Sequence, residues 1–473
     1  MLRRRTAVAA VALAAALSGC RLGPDYHPPE MALPQMWRQP APSGPTAADV
    51  AWWDLFQDPV LRDLVRIALN ENKDLRIAAA RIDEARALYG FTRADQLPIV
   101  NLAIDALRRR GSDQVPPVTG TTNLFSGRID AFYEVDLWGK YRRATEAARA
   151  DLVGSVLSQQ TVVLSLVGEV ASAYFDLLDL DNELQISKDT LAARQESLRI
   201  IQARFDKGVT SGLDVHQAEI QLSIAEAAIP DFERQIAQTE NRIQVLLGRF
   251  PGDVPRGQPL ADEALPPAIP AGLTSDLLRR RPDVAAAEQA LVAANARIGV
   301  AEAQRFPLIG LTASAGAASD DLSKITHGGA GTWSIGASLL QPLFNFGKNK
   351  RRVEVARAQT EEAVYQYEAS VQQAFREVED ALVAVRASAE VLDALDRQVT
   401  AARSALKLSE ARYDQGVTSY LEVLIQQTTA FSAELGASQA RRARLQAVVS
   451  LYSSLGGGWA IEPDQGGGES PAR

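Results

Sequence analysis

The chain has 473 residues, 46% of them hydrophobic and 23% charged, a composition that supports a packed core and excludes wholesale disorder. Its 50 basic and 58 acidic residues leave a formal charge of −8, which argues against a dedicated nucleic-acid binder. A mean hydropathy of −0.10, with no apolar run of 18 residues beyond the N-terminus, excludes a polytopic helical membrane protein, and one cysteine and three scattered histidines exclude an intrachain disulfide or a multi-cysteine metal site.

Residues 1–19 read as an export signal: Arg3, Arg4 and Arg5 form a cationic start, and Thr6 to Leu17 an apolar stretch too short to span a bilayer. The ending Leu17-Ser18-Gly19-Cys20 resembles a bacterial lipobox, in which the cysteine thiol is acylated (palmitate being one expected chain) and becomes the mature N-terminus. Arg21 follows, rather than the aspartate that retains many enteric lipoproteins at the inner membrane, which favours the outer membrane. Without residues 1–19 the formal charge becomes −11, so attraction to anionic lipid cannot hold the chain to a membrane. Buried acyl methylenes can, at roughly 0.8 kcal/mol each.

Residues 20–50 are rich in proline and read as an extended tether. Residues 51–249 form a first unit: a helix, a hairpin over 97–137 and a helix pair over 140–248. Prolines 251, 255, 259, 266, 267 and 270 make 250–274 a linker. A second unit, 275–456, repeats the order, with a hairpin over 306–345 and a helix pair over 347–455; a flexible tail, 457–473, ends the chain. Pro230 is expected to kink the first return helix.

The chain is written twice. ARFDKGVTSGLDV at 203–215 matches ARYDQGVTSYLEV at 411–423 in nine of thirteen positions, at an offset of 208. Trp138-Gly139-Lys140 recurs as Phe346-Gly347-Lys348, and Ala85, Ala87, Gly90, Pro98 and Leu102 recur 209 residues on as Ala294, Ala296, Gly299, Pro307 and Leu311. Between about 163 and 205, and again between 371 and 413, small or apolar residues alternate spacings of three and four over six heptads without glycine or proline, apart from Gly168. That pattern indicates coiled-coil packing, and a helix over about 140–206 would run roughly 100 Å at 1.5 Å per residue.

Residues 124–137 alternate with period two: Phe125, Gly127, Ile129, Ala131, Tyr133, Val135 and Leu137 share one face, and Ser126, Arg128, Asp130, Glu134 and Asp136 the other. Residues 332–341 alternate similarly, and 98–109 and 307–318 are their expected partners. Four strands cannot close a barrel, and lipid does not tolerate open sheet edges, so several chains must contribute to one barrel.

The residues then identify a resemblance to the TolC-like outer-membrane efflux factors, in their lipoprotein (NodT-type) branch. It rests on Cys20 through Gly23-Pro24-Asp25-Tyr26, Trp52-Trp53 with Phe56 and Asp58-Pro59, Arg280-Arg281-Pro282-Asp283-Val284, Phe306-Pro307 and the two Gly-Val-Thr-Ser turns. The resemblance implies an α+β fold in which the duplicated unit assembles as a homotrimer, with a 12-stranded β-barrel on a 12-helix tunnel and the linker and chain ends around the tunnel's middle. It implies a passive exit duct for small toxic compounds, fed by an inner-membrane pump of the RND type through a periplasmic membrane-fusion adaptor, with outer-membrane lipid held through acylated Cys20. Protein export through a type I system, and a non-conducting periplasmic coiled-coil lipoprotein, are the alternatives.

No phosphate loop, nucleophile elbow, HExxH or spaced Cys/His set supports an enzyme, a cofactor or a metal. The turns Gly208-Val209-Thr210-Ser211 and Gly416-Val417-Thr418-Ser419 suit helix ends, with glycine left-handed and Ser211 or Ser419 as the next cap. The resemblance makes them the adaptor-docking tip. It also makes Asp214 and Tyr413 gate candidates, while Leu421 offers an apolar constriction and Glu422 a substitute acidic ring where Ile425 replaces a common aspartate.

Overall fold

The computed structural model describes residues 21–38, 58–112, 114, 120–263, 274 and 277–457. Cys20, the Trp52-Trp53 pair, Phe56 and the C-terminal tail lie outside the described residues. The elements follow the duplication closely. A 22-residue helix (α2, Lys73–Ala94; α6, Pro282–Ala303) precedes two strands, then a 67-residue helix (α3, Lys140–Asp206; α7, Lys348–Asp414) and a 35-residue helix (α4, Gly212–Leu246; α8, Tyr420–Ser454). Short helices α1 (Pro59–Glu71) and α5 (Leu277–Arg280) stand ahead of each copy. The α4 helix continues through Pro230, which costs it one backbone bond without ending it.

Two compact units share the chain. The first takes residues 21–30, 81–156 and 286–368 and holds the sheet; the second takes the remaining described residues. Strands β1 (Ile99–Gly111), β2 (Gly120–Glu134), β3 (Leu308–Ser319) and β4 (Gly331–Leu340) pair antiparallel in chain order. Both expected hairpins are present, and β2 also pairs with β3, so the two copies form one sheet.

Register fixes the faces. Leu102 pairs with Ile129, Ile129 with Ala315, and Ala315 with Trp333, so the apolar sets of all four strands share one side. On that side Ile104, Trp333 and Ile335 are 78–80% exposed. The opposite side carries a polar chain: Arg128 donates to Asp105 at 2.6 Å and to Asp130 at 3.0 Å, and Ser126 donates to Asp105 at 3.3 Å. Water would solvate the second face and penalise the first, which is the pattern of a membrane strand. Among the described residues, the outer edges of β1 and β4 have no partner strand.

The second unit is a helical core. Tyr174, Phe175 and Leu177 on α3 are fully buried, as are Leu61 and Val65 on α1 and Leu445 and Leu451 on α8. One α3 window has the length and hydropathy of a membrane span, but half of it is buried against protein, as in a core helix.

Candidate functional site

At the α3–α4 and α7–α8 connections the copies meet. Gly208 and Gly416 take φ of 74° and 71°, a conformation glycine adopts without Cβ strain. Their amides, with those of Val209 and Val417, close the ends of α3 and α7 on Phe205, Arg204, Tyr413 and Arg412 carbonyls at 2.8–3.0 Å. The two starts then differ. Ser211 caps α4 through a reciprocal box with Asp214, whereas Ser419 makes no side-chain cap to α8, and Thr418 instead donates its hydroxyl to Glu422. Val209, Leu213 and Val417 stand 64–72% exposed around the turns.

Behind the turns, Ile201 of α3, Val215 and Ala218 of α4 and Tyr420, Val423 and Leu424 of α8 form a buried cluster, and the partly buried Leu406 and Tyr413 of α7 pack against it. Asp214 has its carboxylate engaged by Thr210 and Ser211, while Tyr413 faces Tyr420, ring centroids 5.5 Å apart. These two gate candidates therefore do not pair with each other in the chain. Tyr413 instead lies 4.6 Å beneath the Arg204 guanidinium, and Arg204 also donates to Asp414 at 2.9 Å. Arg412, at the same place in the second copy, stands 3.5 Å from Glu422. Glu422 is thus not a bare carboxylate: Thr418 and Arg412 both address it. Leu421, 52% exposed, lines an open groove of about 650 Å³ between α4 and α8 with Ile220, Gln221 and Ile425.

A second constellation, in the sheet-bearing unit, secures the residues after Cys20. Arg143 is 1% exposed; it donates to the Leu22 and Gly23 carbonyls at 2.9 and 3.0 Å, to Asp25 at 2.9 Å and to Glu146 at 3.0 Å. Gly23, at φ 88°, lies against Gly299, where an added Cβ would sit 2.4 Å from the Gly299 Cα. Asn295 donates to the Pro24 carbonyl and Tyr26 to Glu288, both at 3.0 Å. Leu22 to Tyr26 thus dock as a strap.

In the helical unit, the linker is pinned by buried acids. Asp58 caps α1 through Val60, accepts the Tyr174 hydroxyl at 2.5 Å, and lies beside Glu263. Burial, then the bond and charge of Asp58, push the Glu263 carboxyl up to about 8. Tyr174 in turn accepts the Gly257 amide at 2.9 Å.

An open sheet with one apolar face, joined to duplicated long helices, has matches among known proteins. The family model described as "Outer membrane efflux protein" matches residues 64–249 and 273–457. The chain belongs to the outer membrane efflux protein family. It is 37% identical to the solvent efflux pump outer membrane protein SrpC of Pseudomonas putida, over 94% of this chain and 97% of that one. It is 34% identical to the cation efflux system protein CusC of Escherichia coli O157:H7, over 94% and 97%. Among solved structures, the outer-membrane channel OprN superposes with a TM-score of 0.86 at 32% identity, covering 93% of this chain and all of that one. The open state of the Neisseria gonorrhoeae MtrE channel gives 0.85 at 32% identity, covering 93% and 98%.

As a member of this family the protein is an outer-membrane channel component of an efflux system, a duct rather than a known class of enzyme. Among the described residues no group of three or more His, Cys, Asp or Glu is arranged to hold a metal. Sequence reasoning missed Arg143, Arg204 and the Asp58–Glu263–Tyr174 cluster. The signal for Arg204 was available: it and Arg412 hold the same place in the matched turn motifs.

Proposed function

We propose that three copies of this chain form a lipid-anchored exit duct for small toxic organic compounds, loaded by an inner-membrane pump of the RND type through a periplasmic adaptor at the helical turns. The observation that carries the reading is the four-stranded sheet, apolar on one face, ionically wired on the other and, among the described residues, open at both edges. Three such sheets supply twelve strands, and closure removes edges that lipid would not tolerate. Cys20 supplies the anchor, and the Arg143 strap fixes the residues directly after it against the sheet-bearing unit.

At the tip, exposed Val209, Leu213 and Val417 offer an apolar surface for the adaptor. Arg204, Tyr413 and Asp414 tie the end of α3 to the end of α7, and Arg412 with Glu422 ties α7 to α8. Loosening these ties would let the ends separate, so they are the gate candidates best supported by contacts, with Asp214 acting as a cap that keeps the α4 turn rigid. Organic cargo is favoured by the identity to the solvent efflux relatives, although the pump chooses what enters.

The test is accumulation of a fluorescent efflux dye and solvent susceptibility in deletion and complemented strains, with the supernatant proteome from the same cultures. Raised accumulation reversed by complementation is expected. Unchanged accumulation with a missing secreted protein would move the cargo to type I export.

A further inference from the structure

The apolar face of the sheet ends on charge at one corner. Arg108, Arg109 and Arg110 stand just before Gly111, the end of β1, and all three are exposed. Arg108 lies opposite Asn123 and Arg110 opposite Thr121, while Ala106 lies opposite Phe125 and Leu102 opposite Ile129. Side chains alternate along a strand, so Arg108 and Arg110 share the face of Leu102 and Ile104, and Arg109 shares that of Asp105. Two arginines therefore continue the face that lipid would cover.

Their depth suits a headgroup. Val100 to Arg108 covers about 27 Å of antiparallel strand, or about 20 Å of depth at the usual tilt of membrane strands. The apolar band of such barrels is about 25 Å tall, so the pair stands where the band gives way to headgroups. A lipid-facing arginine is costly at mid-depth and nearly free at that boundary. The helices α2 and α3 join the other end of this hairpin, next to Ile99 and Glu134. A periplasmic helical body therefore turns the arginine end outward.

The charge belongs to one repeat only. At the equivalent places, 209 residues on, the second repeat holds Ala317, Ala318 and Ser319. Residues 108–119 hold three arginines and one acid, Asp113, a local charge of +2 in a chain whose formal charge is −8. On one face and about 7 Å apart along the strand, the Arg108 and Arg110 guanidinium groups repel unless an anion sits between them.

We propose that Arg108 and Arg110 form a site for the phosphate groups of an anionic glycolipid in the outer leaflet, one site per protomer. This rests on the proposed barrel, which sets the apolar face against lipid. Guanidinium groups meet phosphate oxygens through paired N–H donors, and Asn123 and Thr121 on β2 add neutral donors beside them. The acyl chains of such a lipid lie along Ile104 and Leu102, so one molecule satisfies both charge and apolar surface. A free phosphate would satisfy only the first. Arg109, on the opposite face, takes no part.

The test is native mass spectrometry of the purified full-length oligomer in non-ionic detergent, titrated with bis-phosphorylated lipid A. The parent should take one lipid per protomer. Arg108→Gln/Arg110→Gln should weaken binding about 100-fold, about tenfold for each charged contact, and Arg109→Gln by about twofold or less. Lipid A stripped of both phosphates should bind the parent about 100-fold more weakly as well, a comparison that needs no variant. Equal binding by parent and double variant, a loss in Arg109→Gln as large as in the double variant, or indifference to the phosphates would overturn the site. Displacement by millimolar inorganic phosphate would also overturn it, in favour of a small-anion site. Insertion of the parent into liposomes separates this site from the barrel. An inserted oligomer with any of those results loses only the glycolipid site, whereas a parent that does not insert loses both.

Discussion

Removing the Arg143 guanidinium should release the strap that follows Cys20 without unfolding the chain. Arg143→Met keeps the aliphatic stem that packs near Gly299 but deletes every donor. The Leu22 and Gly23 carbonyls then lose a charged partner, each such bond being worth about 1.5–3 kcal/mol. The ion pair to Asp25 adds little, because that side chain is 76% exposed. Water regains access to the freed carbonyls, so the net loss should be about 2–4 kcal/mol, a roughly 30- to 700-fold larger undocked population. Hydrogen exchange read by mass spectrometry over residues 21–27 should show that rise, while the fully buried α3 segment around Tyr174 keeps its protection. Protection of 21–27 within threefold of the parent would refute the strap, and loss of protection throughout would show Arg143 to be a general core residue.

Three further outcomes concern other parts of the chain. Ser211→Ala should destabilise the start of α4 by about 1 kcal/mol, whereas Ser419→Ala should be nearly silent, since only Ser211 makes a side-chain cap; exchange rates at the two turns compare them directly. Glu263 has its folded pKa raised, so the folded state holds a proton the unfolded state has lost, and stability should fall as pH rises from about 4.5 to about 8. Glu263→Gln should flatten that slope and stabilise the chain by on the order of 2 kcal/mol at pH 8, read from denaturant midpoints; an unchanged slope would place the proton elsewhere. Cys20→Ser should abolish metabolic labelling with palmitate and release the protein from membranes more readily, and retained label would move the acyl site.

Much of the fold was legible in the sequence because it was written twice. The matched turn motifs gave the pairing of long and return helices, and the period-two pattern over 124–137 gave an amphipathic strand. The pairing of β2 to β3 was not legible, because periodicity within a strand does not say which neighbour it takes. The docking of the strap was not legible for a related reason: prolines at 24, 28 and 29 indicate extension, but what an extended segment docks on depends on a buried arginine 120 residues away. The two helix-connecting turns were legible as turns, yet their chemistry was only partly visible. Asp214 turned out to be engaged by its own turn, and Arg204, an unremarked residue inside a repeated motif, makes the ion pair and ring contact between copies. Short-range caps can be read from spacing; pairs more than 200 residues apart cannot.

Conduction is the claim on which the account stands, and planar-bilayer recording of the purified oligomer tests it most directly, with Arg204→Ala beside the parent. Discrete conductance steps are expected, larger or more frequent in the variant, whose α3 end is no longer tied to Tyr413 and Asp414. Silent bilayers for both proteins, with the oligomer intact and inserted, would contradict a duct and return the chain to a structural role.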